Sequence, residues 1–362
     1  FFATDSDVID ESLAERFSSI GKSGDYSTSN QVLKAMSYED IKLASLILKF
    51  REFNTRLNTF VRPSLNRCKV SNIIYPKFFQ TTKSGRLRSR DPNYQNLPRT
   101  GGIRKSFVAR PGYKIVKADY SQAELRLIAH LSNDPIMIDI YRNNGDIHQK
   151  TAEACRISRQ EAKAVNFLLI YRGSANRLQS ELAEQGVAIG KSEAYSYIKR
   201  YFSTYKKVRE YHRNVERIVI SRMDAHREKF SVTSDEIVSH VMTLAKRKRR
   251  FTSEELSGEK RYGYITQAIN TTVQGGVGDL VKTAMVDCQN EFKKRGWLDP
   301  DNNIWNAYLH GQVHDEIFTE CKEELAEEVA EILTDCMENA GKKYNLRIPM
   351  PADSEIRDNL AK

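Results

Sequence analysis

The sequence predicts an α+β fold whose antiparallel sheet is assembled from distant parts of the chain. Three patterns point to it: helical apolar spacing early and through the middle, a β-branched run passing directly into a helix at residues 113–132, and a late segment that reads as two strands about a tight turn. Runs of helix set apart from a few strands favour α+β over the strict strand–helix alternation of a parallel sheet. With 362 residues, 40% hydrophobic and 29% charged, the chain has material for a sizeable core in two or three subdomains.

Residues 31–60 keep apolar positions three and four apart, which predicts one long helix or two with a basic outer face. From Thr81 to Gly112 the composition turns to Gly, Pro, Arg and Asn, predicting a loop in which Arg86, Arg88 and Arg90 invite phosphate contact. A strand follows over Lys114–Asp119 and then a helix led by Ser121, so Asp119 sits where strand becomes helix. RQEAKAVNFLLIY, residues 159–171, reads as a helix. The basic run Lys246–Arg250 fits a nuclear-import signal, a solvated face or a phosphate-gripping loop, and by itself discriminates little. Late in the chain come two strands with Asp315 and Glu316 at their turn, an amphipathic helix over residues 323–340, and a closing strand Asn345–Met350.

Composition narrows the partners. Lys and Arg outnumber Asp and Glu by 57 to 47, a net charge of +10 that favours a polyanion. No apolar run approaches a membrane span. The cysteines Cys68, Cys155, Cys288, Cys321 and Cys336 are odd in number and lack a C-x-x-C pair, which argues against a disulfide framework or zinc ribbon and for a reducing compartment. His310 and His314 have H-x-x-x-H spacing but no second ligand pair, so a turn reading wins over zinc. A start at Phe1-Phe2, with neither Met nor signal peptide, predicts a fragment.

Two features carry chemistry. Arg159, Lys163, Phe167 and Tyr171 recur at every fourth position, so on a helix they wind along one ridge roughly 18 Å long, two cations followed by two rings. A nucleoside triphosphate is polyanionic at one end and flat at the other. An ordinary amphipathic helix with core rings and solvated cations has the same pattern. Asp119 and Asp315 each follow an apolar strand, where a carboxylate is expensive unless compensated. Magnesium, bound through one or two carboxylates plus substrate phosphates, would compensate both; a capping or turn role is the alternative for either alone.

DYSQAELR (119–126), R-x-x-x-K-x-x-x-F-x-x-x-Y (159–171) and QVHDE (312–316), in this order, resemble motifs A, B and C of family A DNA polymerases, the bacterial DNA polymerase I and phage group. SGRLRSRDPNYQNLP (84–98), DIH (146–148) and NTTVQGGVGDL (270–280) support the resemblance, which covers nearly the whole chain. It implies a right-hand polymerase: a helical thumb cut short at its start with connecting helices (1–85), an antiparallel palm in two parts (86–145 and 303–362), and helical fingers (146–302). It implies addition of dNTPs to a primer 3′-hydroxyl with pyrophosphate release, using two Mg²⁺ or substituting Mn²⁺. Primer–template DNA and dNTPs are the implied partners of a monomer without membrane attachment, in the cytoplasm of a bacterial or phage-infected cell or in an organelle.

The resemblance also implies roles. Asp119, Asp315 and the Tyr120 carbonyl would hold metal, and Glu316 would act beside them. Arg159, Lys163 and His148 would grip the β- and γ-phosphates, with Lys163 as proton donor to pyrophosphate. Phe167 would pack on the sugar, Tyr171 would stack at the template side, Gln122 would join the nucleotide site, and Glu124 would exclude a ribose 2′-hydroxyl. Arg86, Gln95, Asn96, Arg104, Arg247, Asn270, Gln274 and His314 would line the DNA. The chain departs from the family pattern at Leu168, usually small, at Arg172, usually Gly, at Lys246, often Gly, and at Ala123, usually a bulky aliphatic, where the small side chain leaves room beside Glu124. No proofreading exonuclease is expected: the chain's only Asp-x-Glu, Asp353 to Glu355, reads as a surface turn, and Asp5 and Asp7 come too early for a nuclease fold. An RNA polymerase with the same palm and a silent DNA-binding relative are the rival readings, the first disfavoured by Glu124 and the second by the intact carboxylates.

Overall fold

The computed structural model describes residues 30–38, 41–69, 72–98 and 100–361; Asp5, Asp7 and the start of the expected thumb lie outside them. Residues 31–60 form two helices, α1 (Asn30–Tyr38) and α2 (Lys42–Thr55), the second continuing through a π-helical turn (Arg56–Val61) into α3 (Arg62–Arg67). A short strand β1 (Lys77–Phe79) pairs antiparallel with β2 (Arg88–Arg90), so the segment expected to be loop contributes one short strand. The expected strand is β3 (Tyr113–Tyr120), and α4 (Ala123–Ser132) follows it through Gln122, whose left-handed backbone (φ 54°) makes the sharp corner.

A helical body comes next: α5 (Pro135–Arg142), α6 (Ile147–Cys155), α7 (Arg159–Leu169), α8 (Ala175–Ala183), α9 (Lys191–Thr204) and α10 (Lys206–Lys229). The hairpin β4 (Ile237–Met242) and β5 (Lys248–Thr252) leads into α11 (Lys260–Lys294), and the short pair β6 (Leu298–Asp299) and β7 (Ile304–Trp305) leads out of it. The chain closes with β8 (Ala307–Val313), β9 (Glu316–Lys322), α12 (Ala326–Lys343) and β10 (Ala352–Arg357). Among the described residues no helix is long and apolar enough to cross a membrane.

The main sheet is antiparallel, in the order β10-β3-β9-β8. Side chains of β3 alternate between its faces. Val116, Ala118 and Tyr120 enter the large core with Val329, Leu333 and Met337 of α12, while Ile115 joins Tyr94, Leu97 and Phe318 in a smaller cluster on the other side. Each fully buried aliphatic or Phe contributes roughly 1.5–3 kcal/mol, so the sheet is held from both faces and its register is firmly set.

Two late expectations are corrected. Residues 345–350 are not a strand, because Pro349 and Pro351 withhold the N–H donors a ladder needs, and Ile348 and Met350 are instead buried, Met350 lying against Gly341 of α12. The closing strand begins at Ala352, so Asp353, Ser354 and Glu355 are edge-strand residues paired with β3 and not a surface turn.

Candidate active site

The register of the sheet assembles the acidic end of the site. Asp119 lies directly opposite Glu316 of β9 on one side and Asp353 of β10 on the other. The β8–β9 turn consists of His314, left-handed at φ 58°, and Asp315. Burial pushes the Asp315 carboxyl up to about 6, Asp119 and then Glu124 add to this, and Arg86 opposes it. Like-charged carboxylates are therefore gathered where solvent screens them poorly, and a bound cation would relieve that cost. No group of three or more His, Cys, Asp or Glu among the described residues is arranged to hold a metal.

A stability effect follows. The folded chain holds the Asp315 carboxyl at about 6 against an ordinary 3.8, so its contribution is fully present below about pH 4 and is lost as pH rises through about 6. In metal-free protein at pH 8, Asp315→Asn is expected to raise stability by on the order of 1–2 kcal/mol, discounted for residual solvent contact, and at pH 4 to change nothing. Thermal melts in chelator that move equally at both pH values would contradict this.

Around the carboxylates stand Arg86, Glu124, Tyr171 and Gln274. Arg86 pairs with Glu124 at 2.5 Å. The buried Tyr171 hydroxyl completes no hydrogen bond but faces Glu124 and Gln274, and burial holds it far above the ordinary tyrosine range. Arg247, at the turn into β5, hydrogen-bonds the Ser84 carbonyl and fills the space beside Gly85, where a side chain would meet its guanidinium at 2.1 Å. The basic run is thus a hairpin with two sides: Arg247 turns in against Ser84 and Gly85, Arg249 is buried on Gln267 at 2.6 Å, and Lys248 and Arg250 are exposed.

Helix α7 carries the cationic ridge. Ser158 and Glu161 cap it reciprocally, the Ser hydroxyl accepting from the Glu161 N–H at 3.2 Å and the Glu carboxylate from the Ser158 N–H at 2.8 Å. Ala162, Val165, Asn166 and Leu169 are buried, Arg159 and Lys163 are exposed, and Phe167 is half-buried. Asp146, the N-cap of α6, holds the Arg159 guanidinium at 2.7 Å. His148 packs near Phe167, with ring centroids 6.0 Å apart, and its Nδ1 meets the Asn166 amide at 3.0 Å. Its pKa is lowered by burial, with Arg159 and Lys163 adding to that.

The helix stops at Leu169, short of the expected Tyr171. The Gly173 N–H donates to Leu168 O at 3.0 Å and the Arg172 N–H to Leu169 O at 3.1 Å, a Schellman ending with Arg172 left-handed at φ 61°. Glu216 at 3.0 Å and the Tyr262 ring at 4.7 Å hold the Arg172 guanidinium. A Cβ on Gly173 would lie 2.2 Å from Leu168 Cγ, so the large residue at 168 is accommodated by the absent side chain at 173. Gly173→Ala is expected to cost about 1–3 kcal/mol and to cost less in a Leu168→Ala background. A double-mutant cycle showing no coupling would refute the fit.

Other expected residues fall into place unevenly. The Tyr120 side chain is buried and its hydroxyl donates to Met337 O at 2.6 Å, leaving its backbone nearest the site. Gln122 accepts from the Tyr141 hydroxyl at 3.1 Å. Gln95 donates to Gln312 at 2.8 Å, and Gln312 to the His314 carbonyl. Asn96 is exposed, and Asn270 and Gln274 lie half-buried one turn apart on α11. Arg104 is only 6% exposed and grips the Leu97 carbonyl at 3.0 and 3.1 Å, so here it braces a loop. Ala123 is 1% exposed inside the core, so the room expected beside Glu124 is already filled. Sequence reasoning missed Gln312, Asn166 and Lys117; the first two stand inside recognised motifs, and Lys117 is two residues before Asp119 on the same face of β3.

Two carboxylates at one end of an antiparallel sheet, and a cationic helix followed by Tyr171, which faces their neighbour Glu124, make a palm-type candidate site. The chain belongs to DNA polymerase family A, whose family model matches residues 7–362. It is 32% identical over 351 residues to DNA polymerase I of Caldicellulosiruptor bescii, covering 92% of this chain and 37% of that protein. It is 34% identical over 350 residues to the thermostable DNA polymerase I of Thermus thermophilus, covering 92% and 38%. The chain thus spans less than two-fifths of these relatives. The POL domain of Pol1 from M. smegmatis, in a complex with DNA primer-template and dNTP, matches with a TM-score of 0.77 and 28% identity over 94% of this chain and 57% of that one. Members of the family generally use divalent metal ions.

Proposed function

We propose that this chain carries out template-directed DNA synthesis, adding dNTPs to a primer 3′-hydroxyl with release of pyrophosphate. The observation that carries the reading is the meeting of Asp119 and Asp315 with Glu124, Arg86 and Tyr171, two residues beyond α7. From the end of α7 Lys163 and Arg159 recede along the helix by about 9 and 15 Å, an order of ring and cations that suits base and sugar near the carboxylates and phosphates beyond them. Residues 86–145 and 303–362 act as palm, 146–302 as fingers and the preceding helices as part of a thumb. Two Mg²⁺, or Mn²⁺ in their place, held by Asp119, Asp315 and the Tyr120 carbonyl, would supply hydroxyl activation and charge stabilisation at the phosphate.

The remaining work falls to the chain's own groups. Arg159, Lys163 and His148 grip the phosphates, and Lys163 gives a proton to the leaving oxygen. Phe167 packs on the sugar, Tyr171 stacks at the template side, and Gln122 and Glu124 close the ribose side. Glu316 and His314 stand by the primer terminus. Arg86, Gln95, Asn96, Arg247, Asn270 and Gln274 contact the duplex, with Arg104 behind them. A labelled primer on a longer template, supplied with Mg²⁺ and dNTPs, is expected to extend to template length, and with rNTPs to extend far less. Retained primer–template binding without extension would overturn the reading.

A further inference from the structure

We propose that Lys117 is a positioning residue that holds the Glu316 carboxylate away from the Asp119–Asp315 pair, so that this pair alone faces a divalent cation. The part of this inference that concerns metal rests on the function proposed above. On β3, Lys117 and Asp119 share a face, and the register sets Glu355 opposite Lys117 and Asp353 opposite Asp119 on β10, with Glu316 opposite Asp119 on β9. That face carries four carboxylates, Asp353, Asp119, Glu316 and Glu355, and Lys117 is the cation set among them. The Lys117 ammonium lies 3.0 Å from Glu355 Oε2 and 3.6 Å from Glu316 Oε1, and the Lys117 and Glu316 side chains are 3% and 4% exposed.

A lysine this deep is costly unless paired, and an aliphatic side chain in its place would satisfy the packing of a central strand. Its presence answers a specific problem, because like charges directly opposite in a ladder repel and Glu316 lies directly opposite Asp119. By drawing Glu316 toward the next row of the sheet, Lys117 keeps a third carboxylate from joining the other two. Removing the ammonium both ends its pull on Glu316 and withdraws a positive charge from the site. Each change strengthens attraction for a divalent cation.

The test is Mn²⁺ binding to DNA-free protein, read from the free-ion electron paramagnetic resonance signal, alongside single-nucleotide extension kinetics. Lys117→Met is expected to bind Mn²⁺ roughly three- to tenfold more tightly and to lower kcat with the KM for dNTP little changed, while Lys117→Arg stays near wild type in both. Adding Glu316→Gln to Lys117→Met should remove most of the gain in Mn²⁺ affinity. Unchanged Mn²⁺ affinity in Lys117→Met, or a gain that persists fully with Glu316→Gln, would overturn the proposal. Lys117→Gln is read by the same criteria should circular dichroism show Lys117→Met unfolded. A wild-type protein that binds Mn²⁺ yet extends no primer would sink the polymerase reading while the binding comparison still judges Lys117.

Discussion

Asp119→Asn or Asp315→Asn is expected to abolish primer extension, with kcat falling by at least ~10³-fold, while primer–template affinity changes little. Asp119 stands at the end of β3 opposite Glu316, and Asp315 in the two-residue turn beside it. Neither substitution removes a positive charge, and the attraction expected for DNA comes from the excess of cations in a chain carrying +10 overall. An amide keeps the shape and removes the charge, so the carboxylate's attraction for a cation is lost while the packing of the sheet remains. Quenched-flow extension measured beside DNA binding by fluorescence anisotropy separates the two quantities. Near-normal extension by either variant would sink the assignment, and a matching collapse of DNA affinity would turn it into a binding role.

Lys163→Ala is expected to lower the rate of nucleotide addition by roughly 10²-fold or more, the range typical of a lost positioned acid. Arg159, one turn earlier on α7, is already held by Asp146, whereas Lys163 is exposed and forms no ion pair with a described residue. Its ammonium is therefore available to a substrate. Burial lowers the pKa of His148, and although Asp146 opposes this, Arg159 and Lys163 add to it, so the neutral imidazole is favoured there. Single-turnover kinetics should show the loss in the maximal rate, with smaller effects on nucleotide affinity. A defect seen only in DNA affinity would contradict the role.

Much of the site was legible because its parts are local. The Ser158–Glu161 capping box begins α7 where the pattern predicts, and the apolar runs on either side of His314-Asp315 already describe a tight hairpin. The four-residue ridge was legible only in part. Arg159, Lys163 and Phe167 do share the open face of α7, but Tyr171 lies past its end, because Arg172 and Gly173 close the helix two residues early. The basic run left three readings open, and only its folding into a hairpin, with alternate side chains buried and exposed, divides its arginines into inner and outer sets.

By itself the sequence determined the class of fold, the strand-to-helix corner at Asp119, the hairpin turn at Asp315 and the cationic helix, since each follows from periodicity and turn chemistry within about a dozen residues. Only the tertiary structure decided which carboxylates stand side by side. Asp353 and Glu316 reach Asp119 through strand pairings that join residues about two hundred positions apart, and a slip of one residue would turn every side chain to the other face. The core on both faces of the sheet sets that register. The same register puts Lys117 between Glu316 and Glu355, a contact that no spacing within β3 encodes.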